Sequence, residues 1–175
     1  MIDDVKQQKW WGWGEEHLGY SDEGRPKFRS FVKKMVGLDI YDATPAKPDF
    51  SSLDVPAPQI DDTLREKLRK IVGEKYLHDD DETRVVHCYG KGVRDLMRIR
   101  RGDLGRIPDV VLYPADEDEI IQIMDTVVEA DAVLIPFGGG SNIVGALEAQ
   151  PDEQRAVVSV NMGRLNKVLE IDEES

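Results

Sequence analysis

The chain has 175 residues, 40% hydrophobic and 33% charged, which fits a globular protein of one domain or slightly more. Its formal net charge of −12 repels phosphate backbones and disfavours anionic membranes, so nucleic acid is excluded as a natural partner. The single cysteine, Cys88, excludes an internal disulfide, no run approaches the roughly 20 apolar residues of a transmembrane span, and the opening MIDDVKQQKWW lacks a signal-peptide pattern, so a cytoplasmic protein is expected.

The stretch KQQKWWGWGEEHLGY holds all three tryptophans, Trp10, Trp11 and Trp13, with Gly12 and Gly14 between them. Glycine at that density opposes a regular helix, and an irregular arm that lays its indoles on another surface is expected. Pro26 opens RPKFRSFVKKMVG, where Phe28, Phe31, Val32, Met35 and Val36 recur at helical spacing and Gly37 marks the stop. Residues 41–60 carry four prolines without a period and read as an extended connector. DDTLREKLRKIVG then predicts a helix with an aspartate at its start, Leu64, Leu68, Ile71 and Val72 on one face, and Gly73 at its end. HDDDETR, with contiguous acids beside His78, reads as a solvated loop and not a metal site.

From residue 85 the rhythm changes. RVVHCYG reads as a short strand with His87 packed in it, and KGVRDLMRIRRGD as a helix. PDVVLYP is an apolar strand. The following helix has Asp116 as its cap, Glu119 three residues on, and Ile120, Met124, Val127 and Val128 on one face. AVLIPF, AVVSV and KVLEID are three further strands. A strand–helix–strand unit with short joins implies a parallel pair and a right-handed crossover. The fold class is therefore α/β (α+β).

VLIPFGGGSNIVGA places Gly138, Gly139 and Gly140 directly after a strand. A Walker loop would end in Gly-Lys-Ser/Thr, but Ser141 and Asn142 follow here. A Rossmann fingerprint would need glycine where Ile143 stands. Bare successive amides at the carboxyl end of a parallel strand can instead converge on an anion, and Ser141 adds a hydroxyl donor. A phosphate-bearing cofactor is the expectation.

RIPDVVLYPADEDEIIQIM, VLIPFGGGSN and VVSVNMGRLNKVLEID resemble the first half of the FAD-binding domain of the vanillyl-alcohol-oxidase (PCMH-type) superfamily. With KWWGWG, the proline-rich connector and DDETRVVHCYGKGVRDLMRIRRGDLGRIPD, the chain is most similar to the alkyldihydroxyacetonephosphate synthase (alkylglycerone-phosphate synthase) family and its bacterial relatives. The resemblance runs from about Lys9 to the end. It divides the chain into a helical and extended arm, 1–107, and the first, incomplete lobe of the FAD-binding domain, 108–175. It implies a flavoprotein in which Pro136, Phe137, Gly138, Gly139, Gly140, Ser141 and Asn142, with Gly145 as a weaker candidate, bind the FAD pyrophosphate. Two departures stand out. Ser141-Asn142 replaces the family's usual Thr-Ser, and Asn161, assigned no role, stands where aspartate is usual.

The resemblance further implies a transferase of ether lipid synthesis, in which flavin holds the dihydroxyacetone-phosphate portion while a fatty alcohol replaces the acyl chain, without net redox turnover. The family's catalytic residues lie outside this chain, so none is named. The partners implied are FAD and a small-molecule or lipid substrate, and peripheral membrane contact and a homodimer are compatible with it. Alone, the 175 residues are expected to be inactive, poorly stable and unable to hold FAD tightly. Three alternatives remain. One is an FAD-linked oxidoreductase of a 2-hydroxy acid, of the D-lactate or 2-hydroxyglutarate dehydrogenase type. Another is a relative of UDP-N-acetylenolpyruvoylglucosamine reductase, whose loop GGGSN also resembles. The last is a non-enzymatic partner-binding module. Arg94, Arg98, Arg100, Arg101 and Arg106 are expected to pair with local acids such as Asp95 and Asp103.

Overall fold

The computed structural model describes residues 8–19, 23–39 and 48–173. Expectations for residues 1–7, and for 40–47 at the start of the proline-rich connector, lie outside them.

Local side-chain chemistry sets the helix ends. Helix α1 (Phe28–Val36) stops at Gly37, whose φ of +75° only glycine adopts without strain. Asp61 starts α2 (Asp62–Val72) by accepting from the Leu64 N–H at 2.9 Å. After strand β1 (Leu77–His78), Asp80 caps α3 (Asp81–Val86) through the Thr83 N–H at 2.9 Å. Helix α4 (Val93–Arg100) opens where Asp95 accepts from the Gly92 N–H at 3.1 Å. Strand β2 (Val110–Leu112) leads to α5 (Glu117–Glu129), capped by Asp116 on the Glu119 N–H at 2.9 Å. Each such cap is worth about 1 kcal/mol. Strands β3 (Val133–Phe137) and β4 (Val157–Asn161) complete the sheet.

The strand order is β1-β2-β4-β3, with β4 parallel to both neighbours and β1 antiparallel to β2. The β2–α5–β3 unit is thus parallel as expected, but its two strands are not adjacent. β4 inserts between them because every residue from Val157 to Asn161 is buried, and only a central slot covers both faces. Alternation sorts the two faces. Val110, Leu112, Val158 and Val160 meet Leu64, Leu68 and Val72 of α2 and Ile123 and Val127 of α5. On the other face, Ile135, Phe137 and Val157 pack with Leu147 and Ala149. Both α2 and β1 lie amino-terminal to residue 107, yet they build onto this sheet.

Four local expectations are corrected. RVVHCYG is the end of α3 and the turn after it, not a strand, since the Asp80 cap starts a helix that a short apolar run cannot distinguish from a strand by itself. HDDDETR consequently runs from the end of β1 through the Asp80 cap into that helix rather than forming a plain loop. KVLEID forms no strand: Val168, Leu169 and Ile171 stand exposed. The buried stripe of α5 is Ile123 and Val127, whereas Met124 and Val128 face solvent. Helix α1 forms as expected, but Phe31, Met35 and Val36 are exposed among the described residues.

Two buried ions tie the connector to the sheet. Arg84, fully buried, donates through Nε to Pro108 O at 2.8 Å and through a terminal nitrogen to Pro56 O at 2.6 Å. Asp109, also fully buried, accepts from the main-chain N–H of Gln59 (2.8 Å) and Val157 (2.7 Å) and from the Arg106 guanidinium (2.6 Å). Replacing Asp109 strands a buried cation and two amides together. Asp109→Ala is expected to lower unfolding free energy by about 3–5 kcal/mol in urea titrations, and a loss below about 1 kcal/mol would show that the hub is not structural.

Candidate functional site

The glycine loop leaves the sheet at the carboxyl end of β3, beside β4. Phe137 ends the strand with its ring fully buried, 4.1 Å from the His87 ring. Gly140 has φ +66°, and a Cβ there would stand 2.6 Å from Phe137 Cζ and 2.7 Å from Gln8 Oε1. The fold therefore demands glycine at 140. It makes no such demand at Gly138 or Gly139, neither of which has a left-handed φ and whose Cβ positions meet nothing within 4 Å. Among the described residues, the main-chain N–H groups of Gly138, Gly139, Gly140, Ser141 and Asn142 donate to no protein acceptor. Gly138, Gly139 and Ser141 are exposed. Successive amides without a protein acceptor at a strand end, three of them on exposed residues and Gly140 buried between, suit an anion with several acceptor oxygens.

Rigidity comes from the turn at 90–92. Asn142 O accepts the Lys91 main-chain N–H at 2.7 Å and lies 1.9 Å from where Gly90 would carry a Cβ. No side chain fits at 90 without displacing the loop. The Asn142 side chain works inward: Oδ1 accepts from the N–H groups of Val144 (3.1 Å) and Ala146 (3.0 Å). Gly145, at φ +81°, closes the turn, its carbonyl accepting from the Glu148 N–H at 3.1 Å. Of the sequence-expected residues, Pro136 has no N–H to offer and is a strand residue opposite Val160. Phe137 forms the floor. The loop proper is Gly138–Asn142.

Sequence reasoning expected His87 to be packed, as it is, but not that it supports that floor. His87 is buried, and its Nδ1 lies 2.7 Å from Thr83 O. Its Nε2 faces Asn161 Nδ2 at 2.8 Å; an amide nitrogen can only donate, so Nε2 accepts and Nδ1 carries the proton. Asn161 Oδ1 in turn accepts from the Gly163 N–H at 2.8 Å. An aspartate at 161 could not donate to a neutral His87, which gives the departure at this position a structural meaning. Burial pulls the His87 pKa down to about 4. Gly90, Lys91 and Gln8 were also missed, although the paired glycines of YGKGV were a signal of close backbone approach.

Three of the five arginines, Arg98, Arg100 and Arg106, are engaged within the protein, and two of these, Arg98 and Arg106, pair with acids as expected. Arg98 stacks on Tyr89 with its guanidinium carbon 4.3 Å from the ring centroid and pairs with Glu148 and Asp103. Arg100 donates to Trp11 O at 2.8 Å, and Arg106 to Asp109. Asp95 is occupied by the Gly92 amide instead. No group of three or more metal-ligating side chains occurs among the described residues, and no described helix is long and apolar enough to cross a membrane.

Residues 108–175 match the family described as FAD binding domain. Alkyldihydroxyacetonephosphate synthase of Trypanosoma brucei brucei is 32% identical over the whole chain, and that of Dictyostelium discoideum 34% over 98% of it. A solved alkyldihydroxyacetonephosphate synthase in a P1 crystal superposes with a TM-score of 0.81 over 95% of the chain at 34% identity. The chain spans about a third of the length of each: 32% and 31% of the two synthases and 34% of the solved chain.

The Gly90 contact gives one expectation. Gly90→Ala pushes the loop aside, lowering thermal stability and costing about 1–3 kcal/mol; an unchanged melting curve would show that the approach is slack. His87 gives a second. Its pKa falls from 6.5 unfolded to about 4 folded, so the unfolded chain takes up the proton first as pH drops. The stability this contributes is complete above pH 6.5 and lost by pH 4, roughly 3 kcal/mol in all. His87→Phe should flatten that part of the stability–pH curve, and an identical acid slope in the variant would refute the assignment.

Proposed function

From a chain homologous over its whole length to alkyldihydroxyacetonephosphate synthases, and matching the FAD binding domain over 108–175, we propose a flavoenzyme whose glycine loop holds the diphosphate of FAD. The observation that carries this reading is the pair Gly138 and Gly139. The fold has room for side chains at both, with ordinary backbone angles, so the bareness answers to a ligand. Gly138, Gly139, Gly140, Ser141 and Asn142 donate main-chain N–H groups to the phosphate oxygens, and the Ser141 hydroxyl adds a donor. Phe137 supports the loop from beneath, Pro136 ends the strand and Gly145 closes the turn behind. Residues 108–175 form the first lobe of the domain, with β1 added at its sheet edge and α2 packed on one face.

The activity we propose for the whole protein is formation of alkyldihydroxyacetone phosphate, an ether lipid precursor, by exchange of an acyl chain for a fatty alcohol. Bound flavin supplies an electron-accepting ring for that exchange, with no net redox change. This chain's share of the work is binding and orientation. Neutral amides suit it: they hold a dianionic bridge without adding a cation that would need its own counter-charge. The buried free Cys88 is compatible with the reducing, cytoplasmic location expected from the sequence.

Gly138→Ala and Gly139→Ala separate ligand from fold. Both should leave the apoprotein melting temperature within about 2 °C of wild type while weakening FAD binding by about tenfold or more in flavin-fluorescence titration of the complete protein. Wild-type affinity in both variants would sink the proposal. For the reaction, labelled fatty alcohol should appear in an alkyl product from acyl dihydroxyacetone phosphate. Bleaching of the flavin by 2-hydroxy acids, with no label incorporated, would assign the protein to the oxidoreductases instead.

A further inference from the structure

The tryptophan arm ends on the glycine loop. Gln8 Nε2 donates to Gly139 O at 2.9 Å, bringing together residues 131 positions apart. None of the described peptide bonds is cis, so the carbonyl and the N–H of each peptide unit point in opposite directions. A donor fixed on Gly139 O therefore turns the Gly140 N–H away from Gln8. The Lys91 main-chain N–H does the same on Asn142 O, at 2.7 Å, for the amide of Ile143. Two peptide planes of the loop are thus held by partners outside it.

The arm is well placed to act as such a holder. Trp10 is 1% exposed, edge-on to Trp11 and Phe50 with ring centroids 5.6 and 5.4 Å away. Lys91 Nζ, almost fully buried, donates to Lys9 O at 3.0 Å, and Arg100 Nε holds Trp11 O. Lys9 N–H bonds Gly14 O at 3.0 Å, folding the arm back on itself. Gln8 thus precedes a buried indole by two positions and stands next to a segment anchored at three consecutive residues, Lys9, Trp10 and Trp11. Its amide is also the only side-chain group that the described residues direct onto the carbonyls of Gly138–Ser141.

We infer that Gln8 is a positioning residue for the diphosphate, orienting the Gly140 amide through the Gly139 carbonyl. The inference rests on the reading of the loop as a diphosphate site and adds to it an outside residue on which its affinity depends. Preorganisation is the physical content: an amide already aimed at the anion needs no reorientation on binding.

The test uses the complete protein stripped of flavin, comparing wild type with Gln8→Ala and Gln8→Glu and with Trp13→Ala as an arm control. FAD and ADP affinities are measured by fluorescence titration and competition, and the apoprotein is melted. Loss of one orienting hydrogen bond should weaken both ligands about fivefold in Gln8→Ala. Gln8→Glu should weaken them further, because a carboxylate cannot donate to Gly139 O and repels phosphate. Both variants should melt with wild type, and Trp13→Ala should bind as wild type. Unchanged affinities in both Gln8 variants, with ADP still competing in wild type, would overturn the inference and leave the diphosphate site standing. Equal losses in both variants that follow a lowered melting temperature would also overturn it. Failure of ADP to compete in wild type would instead remove the diphosphate site, and the inference with it.

Discussion

The carbonyl of Asn142 occupies the space where residue 90 would carry a side chain, and Gly90 is what makes that possible. This contact joins the turn after α3 to the far end of the glycine loop, and the Lys91 N–H seals it with a hydrogen bond. With the strand β3 fixing one end of the loop and this contact the other, the amides between them have a defined direction without helix or ladder partners. Flexibility would have been the ordinary consequence of three consecutive glycines. Here the backbone is bare and held.

The rest of the molecule supplies the holding. The buried hub of Asp109 and Arg106 fastens the start of β4 to the connector, and Arg84 fastens the connector to the entry of β2. β4 then presents Asn161 to His87, and His87 lies against Phe137, whose ring edge confines Gly140. A neutral imidazole is required at this place, since a protonated one could not accept from Asn161. His87 and Asn161 are thus paired with each other beneath the loop, and the loop amides without a protein acceptor among the described residues are left as its available donors. The same division covers Arg98, Arg100 and Arg106, which are taken up by Glu148, Asp103, Asp109 and backbone carbonyls.

Local signals in the sequence located most elements. Aspartates before α2 and α5 and glycines after α1 and α2 acted where their chemistry says they should, and the glycine loop stood out by composition alone. Wherever tertiary contacts decide, the sequence was silent or misleading. Val85–Tyr89 is a short apolar run that suits either a strand or a helix, and the Asp80 cap decided it. The seat of β4 between β2 and β3 depends on burial of both its faces, which periodicity does not report. KVLEID carries a strand's residues, but both edges of β4, the strand preceding it, are already taken. For the site, the loop itself was legible because glycine has a local meaning, whereas Gln8, Gly90 and His87 act across long separations that only the fold closes.

The central claim is that main-chain amides of Gly138–Asn142 grip the diphosphate bridge of FAD. Its most direct test is a crystal structure of the complete protein grown with FAD. The account predicts phosphate oxygens about 2.7–3.1 Å from the amide nitrogens of Gly139, Gly140 and Ser141, with Asn142 O still on the Lys91 amide. A diphosphate seated elsewhere in the domain, with these amides facing only water, would contradict it.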